Sequence, residues 1–233
     1  MIWKAMMVSL IGGVLCLDRV FLQAMVSRPV VAGPLTGWAL GDPVTGLLCG
    51  ALIELFWIDR IAIGKYVPPN DTVTAVIVTA AAVLAGEGLE GLSRELTAFA
   101  LLVLLPLGYA GQRMDAWIMR SNDRLAKKAV TLAEQADIGG IERQHLLGLL
   151  RAIILPALFI GAAVLAGSWL LIAIFPFLPP FVHRGLGWSY FFLPLLGIAV
   201  ALTTIKRKGA VGLFCAAFAA LLILWEWIHG FFR

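Results

Sequence analysis

Four ionisable residues sit among apolar neighbours: Asp42, Glu54, Asp59 and Arg60. Glu54 lies in GALIELFWI, four residues after Gly50. An ionisable group at membrane depth costs at least about 2.5 kcal/mol, and by default it marks a functional position. A carboxylate there suits a solute ligand or gate, and equally a proton-binding site. Asp59 and Arg60 are adjacent, so on a helix they would point in different directions; their place near a segment end fits an interfacial turn. The stretch KYVPPNDT, Lys65 to Thr72, is a second candidate. Asn70 and Asp71 suit the cap of a helix starting at Thr72. They also suit the hydroxyls of a polar solute, since a carboxylate and an amide supply acceptors and donors together. The two roles are compatible at a broken helix end.

Other chemistry is not indicated. His145, His183 and His229 are far apart and form no metal-ligand pair. No phosphate-binding loop, nucleophile elbow or H-E-x-x-H motif occurs, so no catalytic residue, metal or cofactor is expected. Cys16, Cys49 and Cys215 lie in apolar runs, and their odd number and wide spacing argue for packed, reduced thiols. Trp117, Trp188, Trp225 and Trp227 fall near the ends of apolar segments, where they serve as interfacial anchors.

The elements that must position these residues are membrane helices. The 233 residues are 61% hydrophobic and 14% charged, with mean hydropathy +0.94. A soluble domain has about 25% charged and about 45–50% apolar residues. Residues 152–178 and 209–225 carry no charge at all, and about 20 mainly apolar residues suffice to cross a bilayer. The fold class is an all-α polytopic membrane protein. The net charge of +4 does not point to nucleic acid, because the basic residues flank apolar segments, where they set orientation. Arg113, Arg120, Arg124, Lys127, Lys128, Arg143 and Arg151 form one such cluster, and Lys206, Arg207 and Lys208 another. Both fit the cytoplasmic side. The N-terminal apolar stretch has no A-x-A-like cleavage site and is expected to be a retained helix.

The two halves differ. Beyond residue 151, three regular spans are expected, Ala152–Leu178, Trp188–Ile205 and Gly209–Ile228. Before residue 112 the apolar segments Pro29–Leu40, Val44–Ile58 and Thr72–Ala85 are each short for an untilted crossing. Gly41, Asp42 and Pro43 separate the first two, and Pro68 and Pro69 lie before the third. Non-helical backbone at membrane depth survives only in protein or beside a watery cavity, and transporters place their ligands at such breaks. Glycines that merely let helices pack closely are the alternative. The expected organisation is therefore residues 1–111 with broken helices forming a solute-binding core, residues 112–151 as a cytoplasmic amphipathic helical loop, and residues 152–233 with three transmembrane helices. Within the loop two helices meet near DIGG, and Leu125, Ala129, Leu132 and Ala136 make an apolar stripe that needs covering.

SRPVVAGPLTGWALGDPVTGLLCGALIEL followed by IGKYVPPNDT resembles the membrane IIC subunit of mannose/fructose/sorbose-family phosphotransferase systems. The family carries an Arg-Pro, a glycine-rich GLxLGDxxTG, a GxxxE and a Pro-Asp turn, in that order; in this chain Asn70 falls where the aspartate after proline usually stands, and Asp71 follows it. Gln23 fits a glutamine common in the family, and NDRLAKKAVTLAEQADIGGIERQHL resembles its cytoplasmic segment, with a histidine at the His145 position. The resemblance implies a sugar permease subunit of the bacterial cytoplasmic membrane, with broken or re-entrant helices in a mobile core. Its implied partners are a IID membrane subunit, soluble IIB and IIA phosphocarriers, a hexose and other copies in an oligomer, with Lys127 and Lys128 docking IIB. By residue it assigns solute contact to Glu54, Asn70, Asp71 and Gln23. It carries no phosphoryl group of its own. Two other readings stand beside it: a regulatory or sensory membrane protein that keeps the fold, and an ion-coupled transporter using Glu54.

Overall fold

From Thr72 to Gly86 the chain is a run of small and β-branched residues, and every one is buried. A helix can be surrounded on all sides only if its side chains are short enough for neighbours to approach, which Ala, Val and Thr allow. In a computed structural model this helix is the axis of the molecule. The structure describes residues 1–204 apart from Lys65 and Glu90, together with Gly209, Gly212, Cys215, Ala216 and Ala220.

Eight α-helices are present among the described residues: α1 Ile2–Leu17, α2 Pro29–Leu40, α3 Pro43–Phe56, α4 Asp71–Gly88, α5 Arg94–Leu104, α6 Leu107–Glu134, α7 Ile138–Ile174 and α8 Pro180–Thr204. A π-helical turn, Asp18–Leu22, continues α1. The axial helix α4 packs against α1, α2, α3, α5, α6 and α7, while α8 lies outside against α5 and α3. Five stretches are long and apolar enough to cross a membrane: Ile2–Leu22, Asp71–Gly88, Arg94–Glu134, Ile138–Phe177 and Pro180–Thr204. On α1, Ile2, Trp3, Met6, Leu10 and Val14 are exposed, while Ala5, Val8 and Gly12 face inward.

α2 and α3 form a hairpin closed at Gly41, which adopts φ +94°, a conformation a side chain would strain. The helices touch backbone to backbone. A Cβ on Gly33 would collide with the Gly46 carbonyl, and one on Gly50 with the Pro29 carbonyl. Here Gly41 ends α2, while Gly33, Gly46 and Gly50 lie inside the two helices and let them pack closely.

The bounds of α2 coincide with the sequence expectation, and α3 differs from it by a residue or two. α4 is longer than expected. It has 18 residues, about 27 Å at 1.5 Å per residue, so it approaches a full crossing. The charged segment 112–151 is the polar end of two long helices rather than a separate pair. Helix propensity continues through Arg113–Glu134 although hydropathy falls, so α6 runs 28 residues without a break. The turn into α7 is near DIGG as expected, with Asp137 capping Gly140 N–H at 2.9 Å. Arg151 Nη1 ties the hairpin by donating to Ser121 Oγ at 2.6 Å. Of the three expected C-terminal spans, Ala152–Leu178 covers the second half of α7 and the 3-10 turn Phe175–Phe177 after it, and the described part of Trp188–Ile205 lies in α8. The third, Gly209–Ile228, lies almost wholly outside the described residues, as do Trp225 and Trp227.

Candidate functional site

Asn70 is the N-cap of α4: its Oδ1 accepts Val73 N–H at 2.9 Å. This is the capping role its type and position predict. The same residue is wholly buried between Pro69 and Thr72, both also buried, with Pro68 behind them. Its backbone N–H donates to Gly108 O at 2.9 Å, and the start of α6 closes over it. Gly111 leaves the space for that approach, since a Cβ there would lie 2.7 Å from Asn70 Cβ.

Asp71, the first residue of α4, keeps a quarter of its side chain exposed and pairs with Arg19 at 2.7 Å. Arg19 sits in the π turn and donates from the same Nη1 to Asn70 Oδ1 at 3.0 Å. On the other side, Asn70 Nδ2 donates to Asp115 Oδ2 at 2.8 Å.

Glu54 ends the other arm. It lies near the C-terminus of α3 but reaches the N-terminus of α2, where Oε2 accepts Val30 N–H at 3.2 Å. Its Oε1 pairs with Arg28. A carboxylate at a helix N-terminus satisfies a free N–H and complements the positive end of the dipole. The close Gly50–Pro29 approach makes this reach possible. Glu54 is 15% exposed and Arg28 51%, so the pair faces outward through the arginine.

The two arms are joined. Thr72 Oγ1 donates to Ser27 O at 2.6 Å, with both groups buried. Ser27 is held by Asp18, which is 1% exposed and accepts Ala24 N–H, Ser27 N–H and Ser27 Oγ–H at 2.8, 3.0 and 2.9 Å. One buried carboxylate thus fixes the turn from which Arg28 reaches Glu54. Near the same end Trp57 and Tyr109 meet edge to face at 6.2 Å, with Tyr109 exposed.

The remaining candidates are placed differently. Gln23 is exposed in the left-handed region, φ 54°, and its side chain makes no hydrogen bond among the described residues. Asp42 caps α3, accepting Thr45 N–H at 2.9 Å and Thr45 Oγ–H at 2.6 Å. With Gly41 it lies beside Val83, Gly86 and Glu87 around a cavity of about 410 Å³. That is the opposite end of α4 from Asn70, so the Gly41–Asp42–Pro43 break and the Glu54–Asn70 groups do not share a site. Asp59 and Arg60 pair with each other at 3.4 Å, because α3 has ended at Phe56 and a turn lets adjacent side chains meet. Tyr66 and then Asp59 hold the Arg60 guanidinium above its ordinary value, so it is a fixed positive charge. Lys127 and Lys128 are exposed on the polar end of α6. His145 and the apolar residues Leu125 and Ala129 line a cavity of about 550 Å³ between α6, α7 and the π turn. Among the described residues no group of three metal-ligating side chains occurs.

Sequence reasoning missed Asp18, Arg19 and Asp115. The signal present was weak: Asp18 and Arg19 end the first apolar run, where charges are commonplace, and Asp115 stands in a segment of mixed charge that reads as surface.

The comparisons agree with this architecture. The family described as the PTS system sorbose-specific IIC component matches residues 2–228. The fructose permease IIC component of Bacillus subtilis is 26% identical over 61% of this chain and 50% of its own length. The sorbose-specific EIIC component of Klebsiella pneumoniae is 30% identical over 83% of this chain and 70% of that protein. The chain thus spans about half the length of the first of these relatives. A chain of the mannose transporter ManYZ, solved in complex with microcin E492, shares the fold with TM-score 0.62 at 19% identity, covering 95% of this chain and 87% of that one. A match running nearly the whole length, on a scaffold of membrane-length helices around a buried α4, makes this chain a member of the sorbose-specific IIC family of phosphotransferase-system membrane proteins.

Proposed function

We propose that the chain is a sugar permease subunit of a phosphoenolpyruvate-dependent phosphotransferase system, moving a hexose of the mannose/fructose/sorbose class inward for phosphorylation by a soluble IIB partner. The observation that carries this reading is the pair of arginine–carboxylate couples, Arg28–Glu54 and Arg19–Asp71, joined through the Thr72–Ser27 hydrogen bond. A hexose hydroxyl both donates and accepts. A carboxylate beside a guanidinium offers it an acceptor and donors in one place, with charge-assisted bonds stronger than neutral ones. The partial exposure of both couples leaves them room to exchange partners. Asn70, buried as a cap, serves the site by fixing the start of α4, and Gln23 flanks it from the loop after the π turn. The corner where exposed Tyr109 meets partly buried Trp57 offers the apolar surface that a sugar ring's C–H face requires.

The remaining parts of the proposal rest on family membership and on surface chemistry. A IID membrane subunit and further copies of the chain would meet its exposed apolar helix faces, and the rest of that surface would face lipid in a bacterial cytoplasmic membrane. The exposed Lys127 and Lys128 would meet a IIB phosphocarrier, with IIA upstream. The chain's own part would be to bind and release the solute.

The test is uptake into cells that express the chain with its IID, IIB and IIA partners. The reading predicts that fructose, sorbose or mannose accumulates as its phosphate, and only while phosphoenolpyruvate is available. Accumulation of unmodified sugar driven by a pH gradient, without a phosphoryl donor, would overturn it.

A further inference from the structure

We infer that Arg19 and Asp115 are positioning residues of the solute site, gripping the Asn70 carboxamide from opposite sides and so holding Asp71 and the start of α4 in register with Glu54. The inference rests on the reading of that site given above; Asp115 makes no claim on solute itself, and Arg19 adds this grip on Asn70 to the donors it offers beside Asp71.

The hydrogen-bond inventory of Asn70 carries the argument. Oδ1 has two lone pairs. One takes Val73 N–H at 2.9 Å, and the other takes Arg19 Nη1 at 3.0 Å. Nδ2 donates to Asp115 Oδ2 at 2.8 Å. The backbone is occupied as well, with N–H bonded to Gly108 O at 2.9 Å and the carbonyl accepting Thr74 Oγ–H at 2.8 Å. The side chain cannot turn over, because its oxygen faces two donors and its nitrogen faces an acceptor. A residue this buried, with its oxygen held by two donors and its nitrogen by a carboxylate, has one orientation, set jointly by three elements: the π turn, α4 and α6.

The same contacts explain the residue types. A carboxylate at position 70 would cap α4 equally well and would suit Arg19 better. It would also face Asp115 oxygen to oxygen, and like charges at that separation in a partly buried site repel strongly. The amide is the one group that satisfies a guanidinium on one side and a carboxylate on the other. Arg19 in turn spans Asn70 and Asp71, so a shift of Asn70 moves the couple that the solute would meet. The π turn serves this grip, since an inserted residue in a helix re-aims the side chains beside it, a device frequent at functional sites.

Exchanging the two facing groups tests the grip. Asn70→Asp, Asp115→Asn and the double variant are purified with the IID partner. Each is measured for thermal unfolding and for affinity toward the member of a radiolabelled fructose, sorbose and mannose panel that the wild type binds. Asn70→Asp is expected to weaken affinity by about tenfold or more, because it sets two carboxylates face to face. Adding Asp115→Asn restores the pairing in reverse, with every donor again facing an acceptor, and returns affinity to within about threefold of wild type. A double variant that binds no better than Asn70→Asp overturns the inference. So does an unfolding temperature that falls and recovers while affinity stays constant, which would leave the pair with a purely structural role. Glu54→Gln measured beside them separates the two claims. If it binds normally, or if the wild type binds no member of the panel, the site reading itself fails and this inference with it. If it loses binding while the exchange gives no rescue, the site stands and the grip alone is wrong.

Discussion

Thr72 and Ser27 meet through a single hydroxyl, and that contact is where the two arms of the site are held together. Among the described residues the carbonyl of the buried Ser27 has no other hydrogen-bond partner, so removing the hydroxyl leaves that acceptor unsatisfied. Thr72→Val keeps the shape and is expected to lower stability by roughly 1–3 kcal/mol, read by thermal unfolding of the purified protein. A melting curve that does not move would mean the arms are joined elsewhere. At this scale the sequence was partly legible. Glu54 was visible as an ionisable group in an apolar run, and Asn70 as a cap before a helix. The partners of both were invisible for one physical reason. The Val30 N–H lies 24 residues from Glu54, Arg19 lies 51 from Asn70, and Asp115 lies 45 from Asn70. No local propensity or periodicity encodes a pairing across such separations, and only the packing of α2 on α3, and of α1 and α6 on α4, creates it.

The α2–α3 hairpin shows how an element turns small residues into geometry. Gly50 lets the Pro29 carbonyl approach so closely that Glu54, one turn further along α3, reaches Val30 N–H. Gly50→Ala would place a methyl group against backbone that cannot rotate away. The expected result is a loss of about 1–3 kcal/mol, read by thermal unfolding, together with weakened solute binding as Glu54 is displaced. Gly139→Ala, where a Cβ meets only the Asp137 carboxylate at 3.8 Å, is the matched control and should leave both unchanged. Equal tolerance of the two substitutions would contradict the packing account. Element boundaries set by punctuation were legible: Pro29 and Gly41 bracket α2 as read from sequence. Boundaries set by polarity misled, because α6 and α7 run straight through the change from apolar to charged that divides the chain on paper.

At the scale of the whole molecule, the organising fact is a helix buried on every side, with distinct chemistry at its two ends. One end of α4 gathers Glu54, Arg28, Arg19, Asp71 and Asp115. The other carries the Gly41–Asp42 turn, a cavity of about 410 Å³, and the Lys4–Glu87 pair at 2.5 Å. The sequence made the class and the discontinuity evident, since composition alone demands membrane helices and turn residues alone demand breaks. It did not reveal that the two breaks lie at opposite ends of one helix, because the hairpin's direction relative to α4 is a property of packing. The central claim is therefore a matter of location: the site proposed for solute is the Asn70 end. The measurement that tests it most directly is equilibrium binding of the radiolabelled hexose to the purified complex for Glu54→Gln, Asp71→Asn and Asp42→Asn side by side. Asn caps a helix as well as Asp does, so the third variant keeps its fold. The account predicts that Glu54→Gln and Asp71→Asn each lose about tenfold or more in affinity while Asp42→Asn binds as wild type. Full affinity in the first two, or binding lost only in Asp42→Asn, would contradict it and move the site to the other end of α4.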